Sequence, residues 1–479
     1  MSMRKRSRRR QETLWIAHDA IPESPGHPFY EKLEALLRDE SFDAFVESEC
    51  APYYAKKQGR PSIPPGVYFR MLMIGYFERI DSERGICWRC ADSLSLRGFL
   101  GVGLNESTPH HTSLSRIRNR LPLEVHRSVF SWVLRVLAAN ELIDGKTLGV
   151  DATTLEANAA LRSIVRRDTG QSYEEFLKEL AAASGIKTPT RTDLAKLDRN
   201  RPKKGSNKDW EHPHDPDSQI TKMKDGRTHL AHKLEHAVDM SGEGVVLSVT
   251  LHGGAVGDTK SLPKTLEETQ ANVDELVEDP EVGESLHEDA GRELVADKGY
   301  HGNATLEALI DEDYRTYISE PDRGRRNWKD KEGAQQATYA NRRRIRGERG
   351  KRLLRQRGEL LERPFAHYLE AGGMRRTHLR WHGNILKRLL VHVAGFNLGI
   401  LMRNLIGTAT PREYADQLSR LLDAFARLFE LLGEYLSPIA TAPSNRRYDL
   451  VPILCRNDVQ RIGVSVPSPH RLAGFSTGC

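Results

Sequence analysis

Two aspartates in this 479-residue chain share one setting: Asp151 follows Leu148-Gly149-Val150, and Asp297 follows Leu294-Val295-Ala296. A short apolar run that ends in Asp places a carboxylate at the carboxyl end of a buried strand, where open α/β sheets hold their ligands. If the two strands are neighbours, the carboxylates converge, and close carboxylates resist ionising together unless a cation neutralises them. Hard oxygen donors of this kind suit Mg²⁺ or Mn²⁺. A third carboxylate from a later helix would complete a two-metal site, which activates water and stabilises the leaving oxygen of a phosphodiester. Taken singly, either Asp could equally be a turn former or a helix cap.

Other chemistry-bearing residues are less organised. Cys50, Cys87, Cys90, Cys455 and Cys479 give no disulfide framework, which fits a reducing cytoplasm. Cys87 and Cys90 form a C-x-x-C, but no second pair completes a zinc site and the surrounding GICWRCADSL reads as helix. His229, His232 and His236 lie on a segment that reads as a strand, so a transition-metal site there is the weaker reading. Asp258-Thr259 reads as a helix cap. Lys298, Tyr300 and His301 flank Asp297 closely enough to touch a phosphate, although Tyr300 could equally be core.

The elements that must position these residues follow from periodicity. Residues 28–57 are amphipathic at helical spacing, GRPSIPPG marks a turn, and VYFRMLMIGYFERI is apolar nearly all round, hence a buried helix. Thr108 can cap a helix with Pro109 at its first position, and that helix would present Ser113, Ser115, Arg116, Arg118 and Arg120 in the manner of a helix-turn-helix recognition helix. The texture changes near residue 146, where KTLGVDATTL is β-rich. Residues 158–228 are polar and rich in Pro, Asp and Lys, and read as an inserted, partly disordered excursion. In HKLEHAVDM, His232, Leu234, His236, Val238 and Met240 share one strand face, with Lys233, Glu235 and Asp239 on the other. The order of strands and helices that follows predicts a mixed sheet covered by helices.

Three domains result: a helical DNA-binding region with a basic tail (1–142), an α/β catalytic region with the 158–228 insertion (143–405), and a helical or irregular tail (406–479). In that tail SRLLDAFARLFELLGEYLSPIATAP reads as an amphipathic helix suited to self-association. Charged residues make up 29% of the chain and mean hydropathy is −0.57, which argues against a membrane protein. The apolar stretch 389–406 contains His392, Asn397 and Arg403 and reads as a core helix. Net charge is only +6, but residues 1–10 hold six basic and no acidic residues, and residues 321–380 hold 18 Lys+Arg against 7 Asp+Glu. Such blocks point to a polyanion, because each phosphate neutralised releases counterions. Within the second block Arg342, Arg357, Arg375 and Arg376 are candidates to grip phosphate, with Arg116 and Arg118 assigned to sequence reading.

GVDATTLEANA (149–159), VADKGYHG (295–302) and ERPFAHYLEAGGMRRTHLRWHGNILKRLLVHVAGFNLGILMR (362–403) resemble the bacterial insertion-sequence DDE transposases. RPSIPPGVYFRMLMIGYFERI with RCADSLSLRGFLG (60–101) resembles their helical N-terminal domain. The resemblance implies an RNase H-like core, places the catalytic and metal-binding carboxylates at Asp151, Asp297 and Glu362, and implies Mg²⁺ (or Mn²⁺). It also implies DNA partners (terminal inverted repeats and target), a homo-oligomer in the synaptic complex and a cytoplasmic, nucleoid-associated location. Related transposases often place Tyr and Arg shortly before the glutamate and Lys seven positions after it; here those positions include Gly358 and Leu369, while Tyr339 and Arg342 keep the Tyr-x-x-Arg spacing some twenty residues early. Arg357, His367, Arg375 and Arg376 could serve the phosphate role instead, and Glu359 is the reserve for Glu362. A catalytically silent DNA-binding copy and an RNase H-like nuclease without strand transfer are the alternatives.

Overall fold

The computed structural model describes residues 26–55, 62–200, 205–223, 226–322, 324 and 326–440, the side chains of 433–440 excepted. The basic run 1–10, part of the 59–66 turn, Cys455, Cys479 and the stretch 441–479 lie outside the described residues. The chain divides into two units, Met1–Gln417 and Leu418–Cys479.

The first unit begins with helices α1 (Pro28–Asp39), α2 (Phe42–Cys50), α3 (Pro65–Phe77), α4 (Glu83–Asp92), α5 (Leu94–Phe99), α6 (His111–Arg120) and α7 (Leu123–Ala139). As its composition predicts, α3 is buried on every side. Arg70 on α3 is buried because its guanidinium is fully engaged by Glu34 and Asp43, the condition under which a charge tolerates burial. The start of α6 differs from expectation: His110, not Thr108, occupies the N-cap, its ring nitrogen accepting from Thr112 N. Cys87 and Cys90 are free and buried on α4, and burial pushes their thiols up to about 11 and about 12. They are inert apolar residues at neutral pH.

Strand β1 (Thr147–Glu156) opens the sheet. The insertion that follows is more ordered than its composition suggests, with β2 (Val165–Arg166), α8 (Tyr173–Ala183), α9 (Arg191–Asn200), β3 (Trp210–Glu211) and β4 (Gln219–Lys222). A Ser172–Glu175 capping box starts α8, and Trp210 packs edge-on against Tyr173 and Phe176 beside Ile164. A few aromatics therefore suffice for a satellite core in a polar segment. Next come β5 (Thr228–Asp239), β6 (Val246–Gly253), α10 (Asp258–Glu278), β7 (Glu293–Ala296), α11 (Asn303–Asp311), β8 (Arg315–Ile318), α12 (Glu332–Arg346), α13 (Glu348–Phe365), α14 (His382–Ile406) and α15 (Pro411–Ala440).

Among the described residues the main sheet runs β4-β5-β1-β7-β8, with β6 also paired to β5. Strands β1, β7 and β8 are mutually parallel, while β5 is antiparallel to β1, β4 and β6. One continuous apolar cluster runs from Phe29 on α1, through the sheet, to Met402 on α14. The α14 segment is long and apolar enough to cross a bilayer, yet almost every residue from Ile385 to Met402 is buried within the fold.

Each outer strand is closed by an asparagine whose side-chain amide pairs with both backbone groups of one residue. Asn397 accepts from Val246 N (3.0 Å) and donates to Val246 O (2.8 Å) on β6. Asn341 does the same to Ile318 on β8 (2.9 and 2.8 Å), and Asn207 to Ile220 on β4 (2.6 and 3.0 Å). Replacing fully buried Asn397 by Leu strands two buried backbone groups at once and is expected to cost about 2 kcal/mol or more. Urea unfolding would measure this, with Asn207→Leu, at a half-exposed site, costing clearly less.

Acid should also loosen this core. His126 is buried, accepting from Tyr68 Oη (3.1 Å) and facing the Pro122 carbonyl (3.1 Å), and burial lowers its pKa to about 3. The unfolded chain therefore takes up this proton first. Stability present above the unfolded value of about 6.5 is lost as pH falls toward 3, at about 1.4 kcal/mol per pH unit. Unfolding free energies measured between pH 7 and 5 should fall at least this steeply, because His236 is lowered in the same way, and His126→Gln should make the slope shallower.

Candidate active site

The register of β1 and β7 determines where the two aspartates lie. Val150 pairs with Ala296 across the parallel strands, so Asp151 and Asp297, each the next residue, emerge side by side. Strand β1 does not stop at Asp151, as its sequence suggests. It continues to Glu156 along β5, and only its pairing with β7 ends at Val150.

Helix α13 covers this face. Gly149 permits its close approach: a Cβ there would lie 2.5 Å from Leu361 Cδ1 and 2.6 Å from Met240 Sδ. One turn before Leu361, Arg357 reaches between the carboxylates, its guanidinium 3.4 Å from Asp151 Oδ2 and 3.9 Å from Asp297 Oδ2. Asp297 also accepts from Gly299 N (2.6 Å) and Asp151 from Ala152 N (2.8 Å). Two converging carboxylates with a cation between them form a donor set that suits a hard metal ion.

Opposite Asp151 on β5, His236 shares its face. The imidazole stacks on Phe365 (3.7 Å between centroids, 10°), and its Nδ1 lies 2.5 Å from Tyr368 Oη in the π-helical turn Ala366–Ala371. Burial lowers His236 to about 3 and, with the nearby Asp151 charge, raises Tyr368, so both stay neutral. They form a rigid, uncharged floor under Asp151.

Glu362 is exposed on α13, about 140° around the helix from Arg357 at 3.6 residues per turn. The structure does not gather it with the aspartates, and among the described residues no three ligating side chains are close enough to hold a metal. Glu359 is exposed as well, and Glu370 is paired with Arg375. The three histidines of β5 have separate surroundings: His229 is 3.8 Å from Glu156, His232 contacts Asp215 and His382, and His236 faces Tyr368.

Of the arginines singled out from sequence, Arg116 is exposed on α6. Arg118 is half-buried in an ion pair with Glu83. Arg342 makes a bidentate pair with Glu320 (2.5 and 2.7 Å), Arg375 pairs with Glu370, and Arg376 lies 3.7 Å from Glu156. Asp258 does not cap α10 with its side chain; Gly257 is the N-cap, and the carboxylate turns to Lys233 Nζ (2.6 Å). Tyr300 and His301 are buried, leaving Lys298 exposed.

Sequence reasoning missed that both faces of β5 are buried. Lys233 and Glu235 lie under α10, whose Ser261, Thr265 and Thr269 form a buried polar stripe. The four-residue spacing of those hydroxyls was the available signal. Burial, and secondarily Glu235, raises Tyr300 well above the usual phenol value and keeps its hydroxyl a donor.

Compared with family models, residues 17–120 match a transposase domain (DUF772) and residues 207–394 a transposase DDE domain, together well over half of the chain. The second match contains Asp297, Arg357 and Glu362; Asp151 precedes it, on the strand paired with β7. A comparison with curated proteins finds no match. With both transposase regions in order along one polypeptide, the chain belongs to the insertion-sequence DDE transposases.

Proposed function

We propose that this transposase cuts DNA at the ends of its element and joins the freed 3′-OH to target DNA, using Asp151, Asp297 and Glu362 with Mg²⁺ or Mn²⁺. The observation that carries this reading is the pair of carboxylates at one level of β1 and β7 that share the Arg357 cation. The antiparallel β1–β5–β6 meander, extended by parallel β7 and β8, supports an RNase H-like core. A divalent ion held there would activate water and stabilise the leaving oxygen of the phosphodiester.

The protein's own part is to hold the two aspartates adjacent. Arg357 offsets their repulsion, and the His236–Phe365–Tyr368 floor restricts water beneath Asp151. Glu362 joins them by a change in its side chain or in α13 when DNA and metal bind. The N-terminal helices, with Arg116 exposed, read element ends, while the Arg-rich segment from Arg342 to Arg376 grips phosphate next to the site. Two copies, one per end, form the synaptic assembly.

The test is incubation of the full chain with labelled element-end duplex and Mg²⁺. End cleavage, stopped by EDTA and restored by Mg²⁺, with joining to a target plasmid, is the expected result. Binding without cleavage under Mg²⁺ or Mn²⁺ would indicate a silent DNA-binding copy, and cleavage without joining a nuclease.

A further inference from the structure

Behind the aspartates, on the other face of the sheet, lies a buried charged cluster that the reaction chemistry does not itself call for. Lys233 and Glu235 are 4% and 0% exposed. Glu235 accepts from Ser261 Oγ (2.7 Å), Thr265 Oγ1 (2.5 Å) and Tyr300 Oη (2.7 Å), with Lys233 Nζ at 3.5 Å. Lys233 donates to Ser261 Oγ (2.7 Å) and Asp258 Oδ1 (2.6 Å). A buried ion pair is weak support for stability, since apolar residues of similar volume often serve as well. What this cluster can do that apolar residues cannot is fix the direction of particular polar atoms.

Those atoms belong to the turn that carries Asp297. Residues Lys298–Tyr300 form one 3-10 turn directly after Asp297, and Tyr300 carries the hydroxyl that docks on Glu235. Gly299 in the same turn donates its N–H to Asp297 Oδ1 (2.6 Å). A Cβ on Gly299 would collide with Asp258 Oδ2 and lie 2.9 Å from Asp297 Oδ1, so the two carboxylates face each other across this glycine. Lys233 neutralises Asp258, which would otherwise repel Asp297 at short range.

We propose that Tyr300, Glu235, Lys233 and Asp258 are positioning residues that set the orientation of the Asp297 carboxylate toward Asp151. Tyr300 ties the turn to the sheet through Glu235, and Lys233 holds Asp258 in the place where only glycine fits beside Asp297. The partners behind metal ligands typically govern metal affinity or activity by about ten- to a hundred-fold. This inference rests on the metal-dependent reading of the site given above.

The test uses the full chain with Tyr300→Phe, which keeps the ring and leaves Glu235 two of its three hydrogen-bond donors and the Lys233 charge, and with Lys233→Arg as a charge-preserving companion. Mn²⁺ binding without DNA, followed by electron paramagnetic resonance, is measured beside the melting temperature. Tyr300→Phe is expected to weaken Mn²⁺ binding about tenfold or more with little change in melting, and Lys233→Arg to weaken it less. Asp297→Asn is the reference that removes the ligand itself. If wild type binds Mn²⁺, Asp297→Asn abolishes it and Tyr300→Phe leaves it intact, the positioning role is wrong and the metal reading stands. If wild type binds no Mn²⁺ even after element-end DNA is added, the metal reading is wrong and this proposal falls with it.

Discussion

Asp151→Asn and Asp297→Asn are each expected to reduce element-end cleavage by on the order of 10³-fold or more while leaving DNA binding near wild type, since residues that act as one unit fail together. Asparagine keeps the shape and hydrogen-bonding oxygen but removes the charge that pairs with a cation. Both side chains are partly exposed, at 18% and 37%, so the substitutions should barely move the melting temperature. The double variant should be scarcely worse than either single one. Glu362→Gln is expected to lose as much, and it is the most informative of the three because this side chain stands apart from the other two. Cleavage rates for Glu362→Gln beside Glu359→Gln decide it: normal activity in the first and loss in the second would assign the third ligand to Glu359.

Arg357→Ala should produce two effects of opposite sign. The guanidinium lies where a metal would be drawn, between Asp151 and Asp297. Without it, Mn²⁺ binding to the DNA-free protein should tighten, because the Arg357 charge no longer competes for the carboxylates. Cleavage should nevertheless fall by about a hundredfold, as expected on losing one preorganised group aimed at developing charge. In EDTA the variant should melt lower than wild type, since two adjacent carboxylates lose the charge of Arg357, and Mn²⁺ should restore it. Weaker Mn²⁺ binding in Arg357→Ala would mean that the arginine helps to build the ion site rather than standing in for the ion.

The meeting of two carboxylates at the strand ends was legible because its signal is local. Leu-Gly-Val-Asp and Leu-Val-Ala-Asp each state a buried strand and a carboxylate within four residues, and the parallel register places them together. The all-round apolar α3 and the existence of strand β5, though not the burial of both its faces, were legible for the same reason. Pairings between distant positions were not. Nothing near Arg118 signals Glu83, and nothing near Arg342 signals Glu320. Asp258 has the composition of a helix cap, and a lysine 25 residues earlier draws its carboxylate elsewhere. The burial of the polar face of β5 depends on a matching stripe of hydroxyls from distant α10. Glu362 came only from family resemblance, and its exposed place on α13 shows why spacing alone could not find it.

The asparagines that close β4, β6 and β8 have a consequence for how copies of this protein behave when crowded. An unpaired strand edge is a template on which another chain can add a strand, the usual route to domain swapping and fibrous aggregates. At Ile220, Val246 and Ile318 the outward amide and carbonyl are already taken by Asn207, Asn397 and Asn341. Where folded copies meet at high local concentration, closed strand edges keep their sheets from fusing. Removing these amides should therefore show itself first in turbidity on standing at high concentration, before any change in the folded monomer's chemistry.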